Sequence, residues 1–242
     1  MTGLWAKIFR GRKMTRSLVF ATLVIFAILK ESDIICEMNE KFVSPDNPVL
    51  VQIAQPIAKE KINSPETKEI IEKMLNIAYG EQQDRNRPLL VGLAAPQIGI
   101  SKRIILVDVA ADGKGSVGDL RVYINPEIIW KSEEKNEWYE GCFSTSRVCG
   151  IVSRPTSIRI KAFTQNGKEV EEEHTGYTAR IFQHEIDHLN GIEFVSHITD
   201  DNKLHWVEKE EFPQYRNQEA WRDWPRKCPR EKWERIKGIR KD

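Results

Sequence analysis

The residues with the clearest chemical potential are two histidines and a glutamate within one helical pattern. Residues 184–188 read His-Glu-Ile-Asp-His. Positions i and i+4 of a helix lie on the same face, so His184 and His188 can bind one cation. Glu185 lies beside them, where a carboxylate can take a proton from water activated by that cation. The pattern favours a metal-dependent hydrolase, and without a metal the two histidines would be ordinary surface or core residues.

A third ligand must come from elsewhere, because a catalytic metal site usually has three protein ligands and one open position. Zinc endopeptidases with this pentad commonly use a downstream Glu or His, but Glu193 follows the pentad too closely for that role. Upstream, residues 140–144 read Glu-Gly-Cys-Phe-Ser and offer a thiolate. Cys142 is therefore the better candidate, and the endopeptidase interpretation, which needs no cysteine, is the alternative within enzymes.

Three ordered segments together resemble the motifs of the peptide deformylase family. They read Gly-Leu-Ala-Ala-Pro-Gln-Ile-Gly at 92–99, Glu-Gly-Cys-Phe-Ser at 140–144 and Gln-His-Glu-Ile-Asp-His at 183–188. The resemblance extends over residues 51–195. It implies hydrolysis of the N-formyl group from the N-terminal methionine of newly made proteins, so the partners would be N-formylmethionyl nascent peptides. The alternative from another class is a deformylase-like protein that binds N-termini or metal without turnover.

The resemblance also implies roles for individual residues. The metal ligands would be Cys142, His184 and His188. Fe²⁺ is the usual ion of the family, and Zn²⁺, Ni²⁺ or Co²⁺ can replace it. Glu185 would carry the proton from water to the departing amine, while Gln97 and the backbone N–H of Phe143 would stabilise the oxyanion.

Four residues are expected to contact the substrate, and they are Val91, Gly92, Glu140 and Gly141. Glycine at position 92 would let a peptide backbone lie along an exposed strand edge, where main-chain hydrogen bonds do not depend on sequence. Simpler explanations are a turn at Gly92, a solvated amide at Gln97 and a structural ion pair between Glu140 and Arg154. The chain departs from the family pattern at Leu90, where a glycine is usual, and at Arg147, which brings a charge near the cleft.

Sequence periodicity predicts the elements that position these residues. Helices are expected at 65–79, after the capping residue Ser64, and at 177–190, which Gly191 ends. Strands are expected at 103–109, 121–130, 157–164 and 169–174, the last two joined by the hairpin signal Asn166-Gly167. The predicted fold class is α+β, with antiparallel or mixed sheets packed around the late metal-binding helix.

Composition places few limits on function. The 242 residues carry 37 Lys and Arg against 36 Asp and Glu, so net charge predicts neither general nucleic-acid binding nor an acidic partner. The four cysteines are widely spread, which favours a reducing compartment and a cytoplasmic location. Cys149 and Cys228 are expected to be structural or incidental thiols. Surface positions are expected for His174, His197 and His205.

The two ends of the chain differ from the catalytic domain expected at 41–199. Residues 1–40 begin with a basic stretch that is followed by an apolar run at 18–29. This pattern is typical of a targeting segment or of an anchor that contacts a membrane. If translation starts later, the segment is instead a non-native extension. An organellar, mitochondrial location is thus an alternative. Residues 200–242 form a Trp-rich, basic extension in which 222–242 hold nine basic residues and four acids. This tail could contact the ribosome, or its tryptophans could pack it onto the domain.

Overall fold

The computed structural model describes residues 41–80, 85 and 87–239. Within them the α-helices are α1 (Pro65–Tyr79), α2 (Gly176–Leu189), α3 (Phe212–Arg216) and α4 (Arg230–Ile236). The strands are β1 (Gly92–Ala94), β2 (Ile104–Asp108), β3 (Leu120–Lys131), β4 (Lys135–Gly141), β5 (Val148–Pro155), β6 (Ser157–Thr164), β7 (Glu169–Thr175) and β8 (Leu204–Trp206).

The strands form two sheets, and every pairing between named strands is antiparallel. One sheet has five strands in the order β1-β2-β3-β6-β7, and the other has three in the order β4-β5-β8. The α+β prediction is confirmed. Strand β1 lies at an edge of the larger sheet, so one side of its backbone has no strand partner among the described residues.

Both predicted helices are present, and the local signals that predicted them are visible in the structure. The Ser64 side chain accepts a hydrogen bond from the N–H of Thr67 and caps α1, which begins at Pro65. Helix α2 is displaced by one residue from the predicted range and ends before Gly191, whose φ is 71°. A side chain at Gly191 would approach the Val51 carbonyl carbon to 2.7 Å. Both the positive φ and this close approach therefore require glycine.

Helix α2 is the central element, because it contacts strands of both sheets. Its apolar face packs onto the larger sheet, as expected from the 3.6-residue period. The buried residues of this cluster include Ala179, Ile181, Phe182, Ile186 and Leu189 from α2 and Ile105, Val107, Tyr123, Ile158 and Ile160 from the sheet. This packing fixes the rotation of the helix and therefore the direction of its histidines.

The three-stranded sheet was not predicted from sequence. Strand β4 is charged, and β5 contains Gly150, a residue that weakens a strand interior. The structure explains this glycine, because a side chain at Gly150 would approach the Lys203 carbonyl oxygen to 2.8 Å. Strand β8 has only three residues and is held by its pairing with β5.

The tail packs onto the domain, as the simpler of the two interpretations predicted. Trp221, Trp224 and Trp233 are all buried, and β8 belongs to the smaller sheet. The surface position predicted for His205 is wrong. Its side chain is fully buried, with Nδ1 3.0 Å from the Tyr215 hydroxyl, because the tail residues cover it. His197 is exposed, and His174 is half-buried against Phe182.

No helix in the described part of the chain is long and apolar enough to cross a membrane. The apolar run at 18–29, for which membrane contact was predicted, lies outside the described residues.

Candidate metal centre

Three segments far apart in the chain meet at one place. Gln97 lies in the 3₁₀ turn after β1, and Cys142 lies between β4 and the 3₁₀ turn Phe143–Thr145. His184 and His188 lie one turn apart on α2. One ligand atom from each of Cys142, His184 and His188 lies within 4.8 Å of the others. The structure thus brings together the three predicted ligands.

These donor atoms fit a divalent transition metal. A thiolate sulfur and two imidazole nitrogens are ligands that Fe²⁺, Zn²⁺, Ni²⁺ and Co²⁺ all accept. The Nε2 atom of His188 lies 3.4 Å from the sulfur of Cys142, and Nδ1 of His184 is engaged elsewhere, which leaves its Nε2 for a metal. Within the described residues no other group of three His, Cys, Asp or Glu side chains shows such convergence.

The electrostatic environment keeps Cys142 in the form that binds metal. Burial alone would raise the pKa of this thiol, but His188 and His184 outweigh burial and hold the pKa well below its usual range. Cys149, which lies nearby, behaves in the opposite way, since burial raises its pKa. Cys149 and Cys228 are both buried and outside the ligand group, as expected for structural thiols.

A buried charge cluster around Glu140 orients His184. Oε2 of Glu140 lies 2.9 Å from Nδ1 of His184, while Oε1 accepts from Arg154 at 2.6 Å and from Arg180 at 2.7 Å. Burial opposes ionisation of Glu140, but Arg154 and His184 hold its pKa well below the usual range. A carboxylate on the second nitrogen fixes the tautomer and orientation of a ligating histidine.

The second guanidinium interaction of Arg154 extends this cluster along α2. Its Nη1 donates to Asp187 at 2.7 Å, and Asp187 also lies 2.7 Å from Nε2 of His197. The ion pair between Glu140 and Arg154 that sequence suggested as a simpler explanation is therefore present. Asp187, which precedes the ligand His188, thus also belongs to this charge cluster.

Replacing Glu140 should weaken metal binding. In Glu140→Gln the charge that holds His184 is lost, so affinity for Co²⁺ should fall by about 10- to 100-fold, the usual effect of removing such a partner. Competition with a chelator measures this affinity. The matched control is Glu137→Gln on the same strand, whose side chain is 45 % exposed and pairs with Lys203. Wild-type affinity in Glu140→Gln would contradict the orienting role.

The amide of Gln97 is held by its own backbone. Its Oε1 accepts from the N–H of Ala94 at 2.6 Å, which directs Nε2 towards the sulfur of Cys142 at 3.0 Å. The side chain is buried, so it is not the solvated loop amide of the simpler explanation. Its donor points into the metal centre.

Glu185 is buried next to the ligands and packs against Gly92. Burial raises its pKa to about 7, and its Oε2 has no hydrogen-bond partner within the described residues. A bound cation would lower that pKa again. A side chain at Gly92 would overlap Oε1 of Glu185 and approach Cγ2 of Ile181 to 2.8 Å. Glycine at 92 thus leaves room for the carboxylate.

The other expected substrate residues lie around this centre. Val91 lies just before the edge strand β1, and Gly92 is its first residue. A side chain at Gly141 would approach the sulfur of Cys149 to 2.8 Å, so packing alone explains that glycine. Leu90 is buried, and Arg147 lies 3.6 Å from Glu208, which ties the unexpected charge to the tail.

Sequence reasoning missed Arg180 and Phe42. Arg180 precedes His184 by four positions, about one helical turn, and this spacing was the available signal, because residues four apart share a helix face. The ring of Phe42 stacks on that of Phe143 with centroids 4.7 Å apart. No sequence signal predicted this contact, because the two residues are 101 positions apart.

The fold and this site define a metal-dependent hydrolase, in which a carboxylate and an amide donor face a centre of one thiolate and two imidazoles. A sequence model described as Polypeptide deformylase matches residues 39–204. The chain belongs to the peptide deformylase family, and its members hydrolyse the N-formyl amide in protein biosynthesis. This finding supports the deformylase interpretation and neither of its alternatives.

Individual relatives agree with this assignment. A peptide deformylase of Phenylobacterium zucineum is 35% identical over 162 residues, which are 67% of this chain and 88% of the relative. One of Carboxydothermus hydrogenoformans is 43% identical over 64% of this chain and 90% of its own length. The Met-Ala-Ser-bound class I type b peptide deformylase of Acinetobacter baumannii has a TM-score of 0.57 at 35% identity, covering 65% of this chain and 96% of that one. Another solved structure, from Thermotoga maritima, has a TM-score of 0.54 at 37% identity, covering 66% of this chain and 97% of that one.

Proposed function

We propose that this chain removes the formyl group from N-formylmethionyl nascent peptides with Fe²⁺ held by Cys142, His184 and His188. The observation that carries the proposal is the convergence of these three ligand atoms within 4.8 Å. When bound, such a cation polarises the formyl oxygen and lowers the pKa of water. Zn²⁺, Ni²⁺ and Co²⁺ suit the same donor atoms.

Glu185 moves the proton in this proposal. Its carboxylate accepts a proton from the attacking water and delivers it to the nitrogen of the departing amine, so that the carboxylate is regenerated in each turnover. The position of the group beside both histidines supports this role, and so does the raised pKa that burial gives it. Glu140 acts differently from the substrate contact expected from sequence. Its carboxylate is buried and engaged, which favours orienting His184 over contacting the peptide.

Two donors stabilise the oxyanion of the tetrahedral intermediate. Gln97 offers its Nε2, whose direction is fixed by the hydrogen bond from Ala94 to Oε1. The backbone N–H of Phe143 is the second donor, immediately after the ligand Cys142. Fixed donors of this kind need no reorganisation during the reaction.

The peptide lies along β1 in this proposal. The free edge of β1 near Val91 and Gly92 offers main-chain groups, which would recognise a nascent chain by its backbone. Such contacts suit an enzyme that acts on many different N-termini. Gly141, beside the ligand Cys142, is the remaining residue expected to contact the peptide.

Formate release from an N-formylmethionyl peptide tests the activity and its metal dependence together. Anaerobically prepared, iron-loaded protein should release formate, chelation should abolish the release, and added Ni²⁺ or Co²⁺ should restore it. Formate release that survives complete removal of metal would refute the mechanism. Cleavage at internal peptide bonds instead would support an endopeptidase.

We also propose that basic residues of the tail contact ribosomal RNA, motivated by the nascent-chain substrate and the local charge surplus. Much of that charge is paired within the domain, since Arg222 contacts Glu219, Arg226 contacts Glu211 and Arg230 contacts Asp201. Deletion of the tail would remove the buried Trp233 and Cys228, so truncation is a poor test.

Charge substitutions test the ribosome contact without removing the core of the tail. Arg222 and Arg226 have side chains 49 % and 48 % exposed. In Arg222→Gln/Arg226→Gln, co-sedimentation with ribosomes should weaken, and its dependence on salt should become less steep. The matched control is Arg159→Gln, a 44 % exposed arginine on β6. Equal binding of both variants and the wild type would remove the proposal.

We also propose a cytoplasmic location, because Cys142 must stay reduced to bind metal and the cytoplasm is a reducing compartment. An organellar location, or membrane contact through 18–29, is the alternative. Sequencing the N-terminus of the mature protein distinguishes a retained segment from a removed one.

A further inference from the structure

A buried ion pair connects the C-terminal helix with the region of the metal centre. Glu193 follows α2, and Lys237 caps the end of α4. Nζ of Lys237 lies 2.8 Å from Oε2 of Glu193, and the two side chains are only 5 % and 6 % exposed. A buried ion pair often stabilises the folded protein no more than apolar side chains of similar volume would, because both charges lose their hydration. Stability alone is thus a weak reason for this pair.

Lys237 is held from several sides. Its Nζ donates to the carbonyl of Pro45 at 2.5 Å and lies 5.6 Å from the ring centroid of Trp233. The ammonium group therefore fixes Oε2 of Glu193 in one position. The other oxygen, Oε1, is buried and has no hydrogen-bond partner in the described part of the chain.

His188 also has a buried polar atom without a hydrogen-bond partner among the described residues. Its Nε2 faces the sulfur of Cys142, whereas its Nδ1 is buried and lacks a partner among the described residues. A ligating histidine usually donates its second N–H to a carboxylate, a carbonyl or water. His184 has Glu140 for this purpose, so only one of the two histidines has an acceptor within the part of the chain that the structure describes.

Glu193 is within electrostatic reach of this histidine. Burial raises the pKa of Glu193 and Lys237 opposes the rise, with smaller effects of opposite sign from His188 and Cys142. Phe194, the next residue, lies in the same buried cluster as Trp233 of α4, and Cys142 packs against that cluster. The Glu193 carboxylate thus lies in the same buried region as the ligands His188 and Cys142.

We propose that Glu193 is a positioning residue of the metal centre, whose free oxygen accepts the Nδ1–H of His188 through one bridging water, while Lys237 fixes the carboxylate. The inference rests on the metal-binding role of His188 in the proposed function. Each histidine then has its own carboxylate, Glu140 for His184 and Glu193 for His188. Lys237 lies beyond the residues 39–204 that match the family, so the C-terminal segment would support the centre.

Co²⁺ release separates positioning from simple packing. The double variant Glu193→Leu/Lys237→Met removes both charges together and leaves no buried ion alone, so it should fold. We expect it to release Co²⁺ to a chelator about 10- to 100-fold faster than the wild type and to shift the visible absorption bands of the bound Co²⁺. Glu193→Gln keeps an acceptor oxygen and should show a smaller acceleration.

The matched control is Asp201→Asn, which breaks the more exposed ion pair to Arg230 at the start of the same helix. It should leave both Co²⁺ readouts unchanged. A folded double variant with the wild-type release rate and spectrum would overturn the inference. If the double variant does not fold, Glu193→Gln decides, and an unchanged rate and spectrum there would overturn it equally. Wild-type protein that binds Co²⁺ but releases no formate would refute the proposed function and not this inference.

Discussion

Glu185→Gln should retain its metal and lose nearly all formate release. The amide is close in shape to the carboxylate but cannot accept the proton of the attacking water. Loss of a positioned general base typically costs about 10²- to 10⁴-fold in rate, and we expect kcat to fall within this range. Steady-state kinetics on an N-formylmethionyl peptide, with metal content measured on the same sample, checks the prediction.

The burial of Glu185 sets the controls for this experiment. Its side chain contacts the space that a residue larger than glycine would occupy at position 92, so a bulkier substitution would disturb β1 as well. Glu185→Asp keeps a carboxylate on a side chain that is shorter by one methylene group. It should therefore retain more activity than Glu185→Gln. If the glutamine variant has wild-type kcat with a full complement of metal, Glu185 is not the base.

Gln97→Leu should lower kcat by about 10²- to 10³-fold, the usual cost of losing one oxyanion donor. The affinity for substrate should change much less, because the donor acts mainly when negative charge develops on the formyl oxygen. Separate measurement of kcat and KM on the same peptide distinguishes these effects.

The control for Gln97→Leu follows from the second hydrogen bond of the side chain. Leucine also leaves the N–H of Ala94 without its acceptor, so the unfolding temperature must be compared with that of the wild type. Co²⁺ affinity should remain close to the wild-type value, since Gln97 is not a ligand. A decrease in kcat that follows loss of metal would argue against an oxyanion role.

Sequence predicted the chemistry of the site better than the architecture around it. The histidine pair follows from helical spacing, which is local and therefore visible in sequence. Cys142 is separated from His184 by 42 positions, and only the order of the motifs, not any periodicity, connected them. The structure joins them because β4 ends beside α2.

The missed features depend on tertiary contacts. Strand β5 contains Gly150 because another part of the backbone approaches it closely, and propensity cannot predict such an approach. His205 was expected at the surface, yet Tyr215, ten positions further along the chain, and the rest of the tail bury it. The partnership of Glu193 with Lys237 joins positions 44 residues apart and has no sequence signature.

The pairing of β8 with β5 has a consequence for biosynthesis. Strand β5 is translated well before β8 and α4, so for a time the smaller sheet has an open edge and its apolar cluster lacks Trp233. Exposed edges of this kind favour association with other chains. Premature termination after residue 203 would therefore produce a polypeptide with a complete set of metal ligands that aggregates before it can mature.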